Sequence, residues 1–183
     1  IDTDTELRGE EFNELRRHTL SGGELTTVTE TGKPQKIMPE ENLDKLVDRF
    51  QDIRYKLATR LIYQGGLRPI EALELTSEDL KRDEDGWKAE ITTGLADRTV
   101  FLKGEKLDKL LREFVEKEGK LFGFDIYAYS SKLQVASNGE IQPYMLRRSK
   151  AYHLASKENA STERLQEELG LFPSRAEQKV KQE

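Results

Sequence analysis

Two arginines stand where the chain could close on a phosphate. Arg68 lies in the run Gly65-Gly66-Leu67-Arg68-Pro69-Ile70-Glu71-Ala72-Leu73-Glu74-Leu75, and much later Leu146-Arg147 opens a second basic helix. Phosphoryl transfer at a phosphodiester collects charge on both non-bridging oxygens. Arginine suits that charge, because its planar fork donates two parallel hydrogen bonds and keeps its proton near neutral pH. Pro69 suits the first turn of a helix, so Arg68 falls just before the helix start and Glu71 three residues on. On local spacing alone the Arg68 and Glu71 pair fits two readings: part of a phosphate site, or an ordinary surface ion pair at a helix start.

The elements that must hold these residues are legible in outline. Asn42 to Tyr63 carries Leu43, Leu46, Val47, Phe50, Ile53, Leu57 and Leu61 at helical spacing, with Pro39 before it and Gly65-Gly66 to stop it, which predicts one helix. Arg68 then sits on a sharp helix-to-helix corner. Trp87, Ala89 and Ile91 alternate with polar residues, Gly94 to Asp97 supplies a turn, and Arg98 to Leu102 resumes an extended pattern, which predicts a β-hairpin. Leu107, Leu110, Leu111, Phe114 and Val115 form one apolar stripe of a surface helix. Leu121 to Gly139 reads as a loop or short strand segment. Pro143 precedes a helix over Tyr144 to Ser156, and Ser161 or Thr162 can cap a last helix ending at Leu169 before Gly170. The order predicts a mainly α domain with a small antiparallel β-sheet, an α+β class. The first part of the chain, 1–38, reads as an acidic lead-in and linker, and 39–183 as the folded domain.

Composition sets limits on partners. Hydrophobic residues make up 35% of the 183 residues and charged residues 36%, enough for one core under an unusually charged surface. No apolar run approaches the roughly 20 residues needed to cross a bilayer, so no membrane partner is expected. Cysteine is absent and the histidines are only His18 and His153, which leaves metal binding little to build on and makes a cytoplasmic location the default. A start at Ile1 rather than methionine leads us to expect a fragment or processed product. The net charge of −5 is unevenly placed. Residues 1–30 hold eight acids against three bases, which leaves the remainder neutral overall. Tyr144 to Lys157 contains Arg147, Arg148, Lys150 and Lys157 and no acid, so a local basic face survives the acidic total.

Gly66-Leu67-Arg68-Pro69-Ile70-Glu71-Ala72-Leu73, followed by Leu75 and Ser77-Glu78-Asp79-Leu80, is one box. Tyr144-Met145-Leu146-Arg147-Arg148-Ser149-Lys150-Ala151-Tyr152-His153-Leu154 is a second, and the hairpin lies between them. Together, over about Pro39 to Val180, they resemble the catalytic domain of the tyrosine recombinases, the family of phage integrases and bacterial Xer proteins. The resemblance implies that Arg68 and Arg147 bind a DNA phosphate and that Glu71 supports Arg68. It gives His153 a packing or hydrogen-bonding role. It implies double-stranded DNA as partner, leaves open a homo-oligomer on DNA, and requires no cofactor or metal. Arg148, Lys150 and Lys157 are candidate DNA-backbone contacts, and equally well solvated helix charges.

The chain departs from the family pattern where the cutting chemistry resides. Tyr144 stands at the usual histidine, although a phenol still hydrogen-bonds a phosphate oxygen. Thr93 falls at the hairpin lysine that protonates the leaving sugar oxygen in the family, Leu171 at a second histidine or tryptophan, and Val180 at the nucleophilic tyrosine. The expectation is therefore a DNA-binding family member that clamps backbone phosphates and is catalytically degenerate, which leaves enzyme status open. The alternatives are an active site-specific recombinase whose tyrosine lies past residue 183, and an unrelated α-rich protein-interaction domain.

Overall fold

A computed structural model describes residues 16–19, 26–30, 33–92, 97–114, 119–156 and 158–170, with side chains from residue 36 onward apart from Thr162 and Gln166. Within the stretch expected as linker, β1 (Arg16–Thr19), β2 (Thr26–Glu30) and β3 (Lys33–Ile37) form an antiparallel sheet in the order β1-β2-β3. The register sets Thr26 opposite Ile37 and Glu30 opposite Lys33. Thr26, Thr27, Val28 and Thr29 are β-branched and suit a strand. Ile37 and Met38, at the end of this stretch, are fully buried.

The helix expected from Asn42 to Tyr63 is two helices, α1 (Leu43–Asp48) and α2 (Ile53–Gly65). Asp52 breaks the run: its extended backbone and its carboxylate, which accepts the Arg54 amide at 2.9 Å, start a new helix. Apolar spacing continues across the break, so periodicity alone does not register it. α2 is buried on most of its circumference, through Tyr55, Leu57, Ala58, Thr59, Arg60, Leu61, Ile62 and Tyr63, and serves as the central helix. It ends at Gly66, whose φ of +65° is the left-handed conformation that closes many helices. α3 (Pro69–Glu74) follows after Leu67 and Arg68, with proline in its first turn as expected.

A second antiparallel sheet joins β4 (Leu80–Asp83), β5 (Gly86–Ile91) and β6 (Arg98–Leu102) in that order. The expected hairpin is β5 and β6, with Ile91 opposite Arg98 and Trp87 opposite Leu102. Strand β4 is an addition to it. The expected turn lies largely in 93–96, outside the described residues, and so does Thr93. α4 (Glu105–Phe114) buries Leu107, Leu111 and Phe114 as one stripe, and its Asp108 accepts the Trp87 indole N–H at 2.7 Å.

The segment expected as loop or strand contains α5 (Ile126–Ala136). Asp125 caps it by accepting the Ala128 amide at 2.9 Å. Tyr127 and Tyr129 do not share an environment: Tyr127 is 82% exposed and Tyr129 fully buried, as residues two apart on a helix point to nearly opposite sides. The Tyr129 ring stacks with Tyr55 and Phe124, and its hydroxyl lies 2.7 Å from the Thr59 hydroxyl. Burial pushes that phenol well above its ordinary pKa, against the opposing pull of the Thr59 hydrogen bond.

α6 (Pro143–Ser156) and α7 (Thr162–Leu169) close the fold as expected, with Ser161 capping α7 through the Arg164 amide and Gly170 ending it at φ +67°. Arg147 lies in the second turn of α6, not at its opening. The main core gathers α1 to α6 and the second sheet. A second apolar cluster of Ile37, Tyr152, Leu154, Leu165 and Leu169 seals α6 and α7. Met38 ties β3 to α6: its amide donates to Ser149 Oγ at 2.8 Å, and its carbonyl meets His153 Nε2 at 3.0 Å and the Tyr63 hydroxyl at 2.9 Å. His153 thus has the packing and hydrogen-bonding position expected of it.

Candidate functional site

The two boxes meet at the C-terminal end of α7. Arg68, in extended backbone at φ −62° and ψ 142°, caps the start of α3, and Glu71 reaches back to accept its amide at 2.8 Å. That contact satisfies one of the orphaned donors at a helix start. The Arg68 guanidinium then turns towards α7, where Nη2 donates to the Gly170 carbonyl at 2.9 Å. Its side chain keeps 21% of its surface exposed.

Arg147 reaches the same corner from beneath. Its Nη1 donates to the Gly66 carbonyl at 2.6 Å and its Nη2 to the Leu169 carbonyl at 2.5 Å, and the residue is only 1% exposed. The expected pair therefore converges on Leu169 and Gly170, but the two arginines present themselves differently. Arg68 faces outward at the rim, and Arg147 is enclosed. Two left-handed glycines make the approach possible. A Cβ on Gly66 would lie 2.3 Å from a Leu169 methyl and 3.3 Å from Lys150 Cγ; one on Gly170 would lie 2.8 Å from Arg98 Nη1 and 3.2 Å from Arg68 Nη1.

Glu71 is no surface residue. It is 4% exposed, and both its oxygens are taken by Arg98, Nη1 to Oε2 at 2.7 Å and Nη2 to Oε1 at 2.8 Å. Arg68 Nη1 stands 3.6 Å from Oε2. Burial by itself would raise the Glu71 carboxyl, but hydrogen bonds and charge from Arg98, with the amide and charge of Arg68, hold it below its ordinary value. The ordinary surface pair is thereby replaced by an enclosed Arg–carboxylate–Arg cluster.

Arg98 is the residue that linear reading passed over. A signal for it existed. Val100 and Leu102 point into the core from β6, so strict alternation puts Arg98 on the same inward face, where an unpartnered arginine would be costly. Its side chain is 6% exposed, and among the described residues its Nε has no partner.

The remaining candidates spread outward from this corner. Tyr144 is 42% exposed one turn before Arg147. Arg148 and Lys150 are half-buried on α6. Lys157, Leu171 and Val180 lie outside the described residues. A neighbouring cleft of about 740 Å³ between α2, β6 and α7 is lined by six acids and five bases and so offers no excess of positive charge. Among the described residues no cluster of His, Cys, Asp or Glu side chains is placed to hold a metal ion, and no helix is long and apolar enough to cross a membrane.

A helical body with the small antiparallel sheet β4-β5-β6 has the catalytic-domain fold of tyrosine recombinases. The phage integrase family profile matches residues 36–171, and the chain belongs to that family. The reading as an unrelated interaction domain is thereby set aside. Similar solved structures include the XerH site-specific recombinase bound to its difH substrate in a pre-cleavage complex. It is 23% identical with a TM-score of 0.60, over 73% of this chain and 46% of that one. The XerA recombinase is 18% identical with a TM-score of 0.64, over 79% of this chain and 59% of that one. The catalytic domain of bacteriophage HP1 integrase is 23% identical with a TM-score of 0.57, over 73% of this chain and 79% of that one. These likenesses carry the fold. The chain spans about half the length of the XerH and XerA recombinases, 46% and 59%. Among curated protein sequences none matches.

Proposed function

We propose that this domain binds double-stranded DNA through its backbone, with Arg68 donating to a phosphate at the rim and Arg147 adding charge beneath it while holding the corner in shape. The observation that carries the reading is the charge count at one spot. Arg68, Arg98 and Arg147 converge around Gly170, and Glu71 is the carboxylate set among them. Among the described residues, three guanidinium groups meet one carboxylate, a local excess of positive charge, partly enclosed, where an anion gains more than it would in open solvent. Arg148 and Lys150, on the helix that carries Arg147, extend that charge along α6, and Lys157 continues it in sequence. Tyr144, exposed one turn before Arg147, would add a hydrogen bond from its phenol. A nucleoid-associated place in the cytoplasm, and assembly of copies on DNA, go with this reading.

The test is duplex binding measured across a range of salt. Displaced counterions make affinity fall linearly on a log–log plot, with a slope set by the number of phosphate contacts. Arg68→Ala is expected to weaken binding and lower that slope by about one. Affinity indifferent to both salt and Arg68→Ala would remove the reading.

Within the residues present we favour binding without strand cleavage. Tyr55, Tyr63, Tyr129 and Tyr152 are buried, with the Tyr63 and Tyr129 hydroxyls committed to Met38 and Thr59, and the exposed Tyr127 and Tyr144 both precede α7, whereas the family's nucleophile position, Val180 here, follows it. Family membership favours a second reading, in which cleavage is carried out by a tyrosine beyond residue 183. A nicked suicide substrate separates the two, because a covalent protein–DNA adduct forms only in the second.

A further inference from the structure

Glu71 poses a problem for any phosphate site built on Arg68. It lies three residues along the same helix, the spacing at which long side chains meet. A carboxylate and a guanidinium at that distance readily close into a fork, and an arginine closed in that way has little to offer a phosphate. The structure shows the fork made elsewhere. Arg98 holds both Glu71 oxygens, at 2.7 and 2.8 Å, while the nearest approach of Arg68 to Oε2 is 3.6 Å. Arg68 donates instead to the neutral Gly170 carbonyl at 2.9 Å and stays a looser ion partner of Glu71 at 3.6 Å.

We infer that Arg98 is a positioning residue that keeps Glu71 from closing on Arg68, so that Arg68 presents its guanidinium to a phosphate. The inference rests on the DNA-backbone reading of the same corner. Geometry makes Arg98 the stronger competitor for the carboxylate. Its side chain is 6% exposed against 21% for Arg68, so its charge is the less well solvated and has more to gain from pairing. Gly170 keeps the arrangement open, since a Cβ there would strike the Nη1 atoms of both arginines. Among the described residues, the charged groups facing Glu71 are Arg98 from β6 and Arg68 from the start of α3.

The test is rescue. Duplex binding across salt is measured with the complete chain for wild type, Arg68→Ala, Arg98→Ala, Glu71→Gln and the double variant Arg98→Ala with Glu71→Gln. Arg98→Ala is expected to bind about tenfold more weakly with a shallower salt slope, the loss of roughly one charge-assisted contact. Adding Glu71→Gln should recover most of that loss. Glutamine still accepts the Arg68 amide as a helix cap but no longer draws in its guanidinium. A purely structural role for Arg98 predicts that the second substitution recovers nothing and that binding tracks the melting temperature. Either that result or wild-type affinity in Arg98→Ala overturns the inference. Should Arg98→Ala fail to fold, Arg98→Lys carries the same test, because an ammonium is a point charge and cannot fill both oxygens. If Arg68→Ala itself binds like wild type, the DNA-backbone reading fails; if only the Arg98 arms fail, that reading stands without this refinement.

Discussion

Arg68 and Arg147 end within reach of the same two residues, Leu169 and Gly170, yet the chain uses them differently. Arg147 is 1% exposed, and its fork stitches the carbonyl that precedes Leu67-Arg68 to the carbonyl that precedes Gly170. Arg68 keeps 21% of its side chain exposed and spends one donor on Gly170 itself. One arginine fixes where the corner lies, and the other faces out of it. Identical side chains thus differ in burial, and under the proposed DNA-backbone reading that difference divides structure from presentation.

The contrast breaks most readily at Arg147. Arg147→Ala leaves two buried carbonyls without their donor, each costing about 1–3 kcal/mol, and opens a cavity as well. We expect a loss of about 4 kcal/mol in urea unfolding, with DNA binding falling in step as the corner loosens. Arg68→Ala should be the mirror case. The partly exposed hydrogen bond of Arg68 to Gly170 is worth about 1 kcal/mol of stability, whereas loss of the proposed phosphate contact should cost roughly tenfold to a hundredfold in affinity. Equal losses of stability from the two substitutions would abolish the distinction.

Acid sharpens the comparison through Glu71, which touches Arg68 and not, in any contact described above, Arg147. Its folded pKa lies below the ordinary 4.5, held there by Arg98 and Arg68 against burial. The stability it contributes is therefore complete above the unfolded value and is lost as pH falls through the depressed folded value. Unfolding free energies measured from neutral pH down into that range should decline in the wild type. In Glu71→Gln this part of the slope should disappear. A slope unchanged by Glu71→Gln would mean that the Arg98–Glu71–Arg68 cluster does not couple to folding.

Much of this corner can be read in the linear chain, and the reasons for the gaps are physical. Pro69 and the Gly65-Gly66 pair fix a helix stop and a helix start by backbone chemistry alone, so the place of Arg68 follows from local rules. Ser161 and Gly170 frame α7 for the same reason. The break at Asp52 does not show, because Leu46, Val47, Phe50 and Ile53 keep helical spacing through it and a cap is only one carboxylate. Helix α5 is missed because Ile126, Tyr127, Tyr129 and Val135 are apolar without sharing a face; Tyr127 and Val135 point to solvent. The unequal burial of Arg68 and Arg147 depends on how α7 lies over both, a long-range packing result that neither box contains. Arg98 is intermediate: alternation along β6 turns it inward, but only the folded chain brings Glu71 to meet it.

The smallest effect expected is also the one that acts on both arginines alike. Ser161 caps α7 by accepting the Arg164 amide at 3.1 Å, and α7 delivers the Leu169 and Gly170 carbonyls to Arg147 and Arg68. Ser161→Ala removes that acceptor, and loss of an N-cap costs typically about 1 kcal/mol. Because the helix frays from its far end, the carbonyls at its C-terminus should shift little, and Leu165 and Leu169 in the second apolar cluster keep it seated. We therefore expect a melting temperature lowered by a few degrees, as befits about 1 kcal/mol in a domain of this size. DNA affinity and salt slope should stay within about twofold of wild type. A loss of affinity as large as that of Arg68→Ala would show that the proposed phosphate corner depends on the whole of α7 and not on its last turn, and the proposed division of labour between the two arginines would have to be redrawn around that helix.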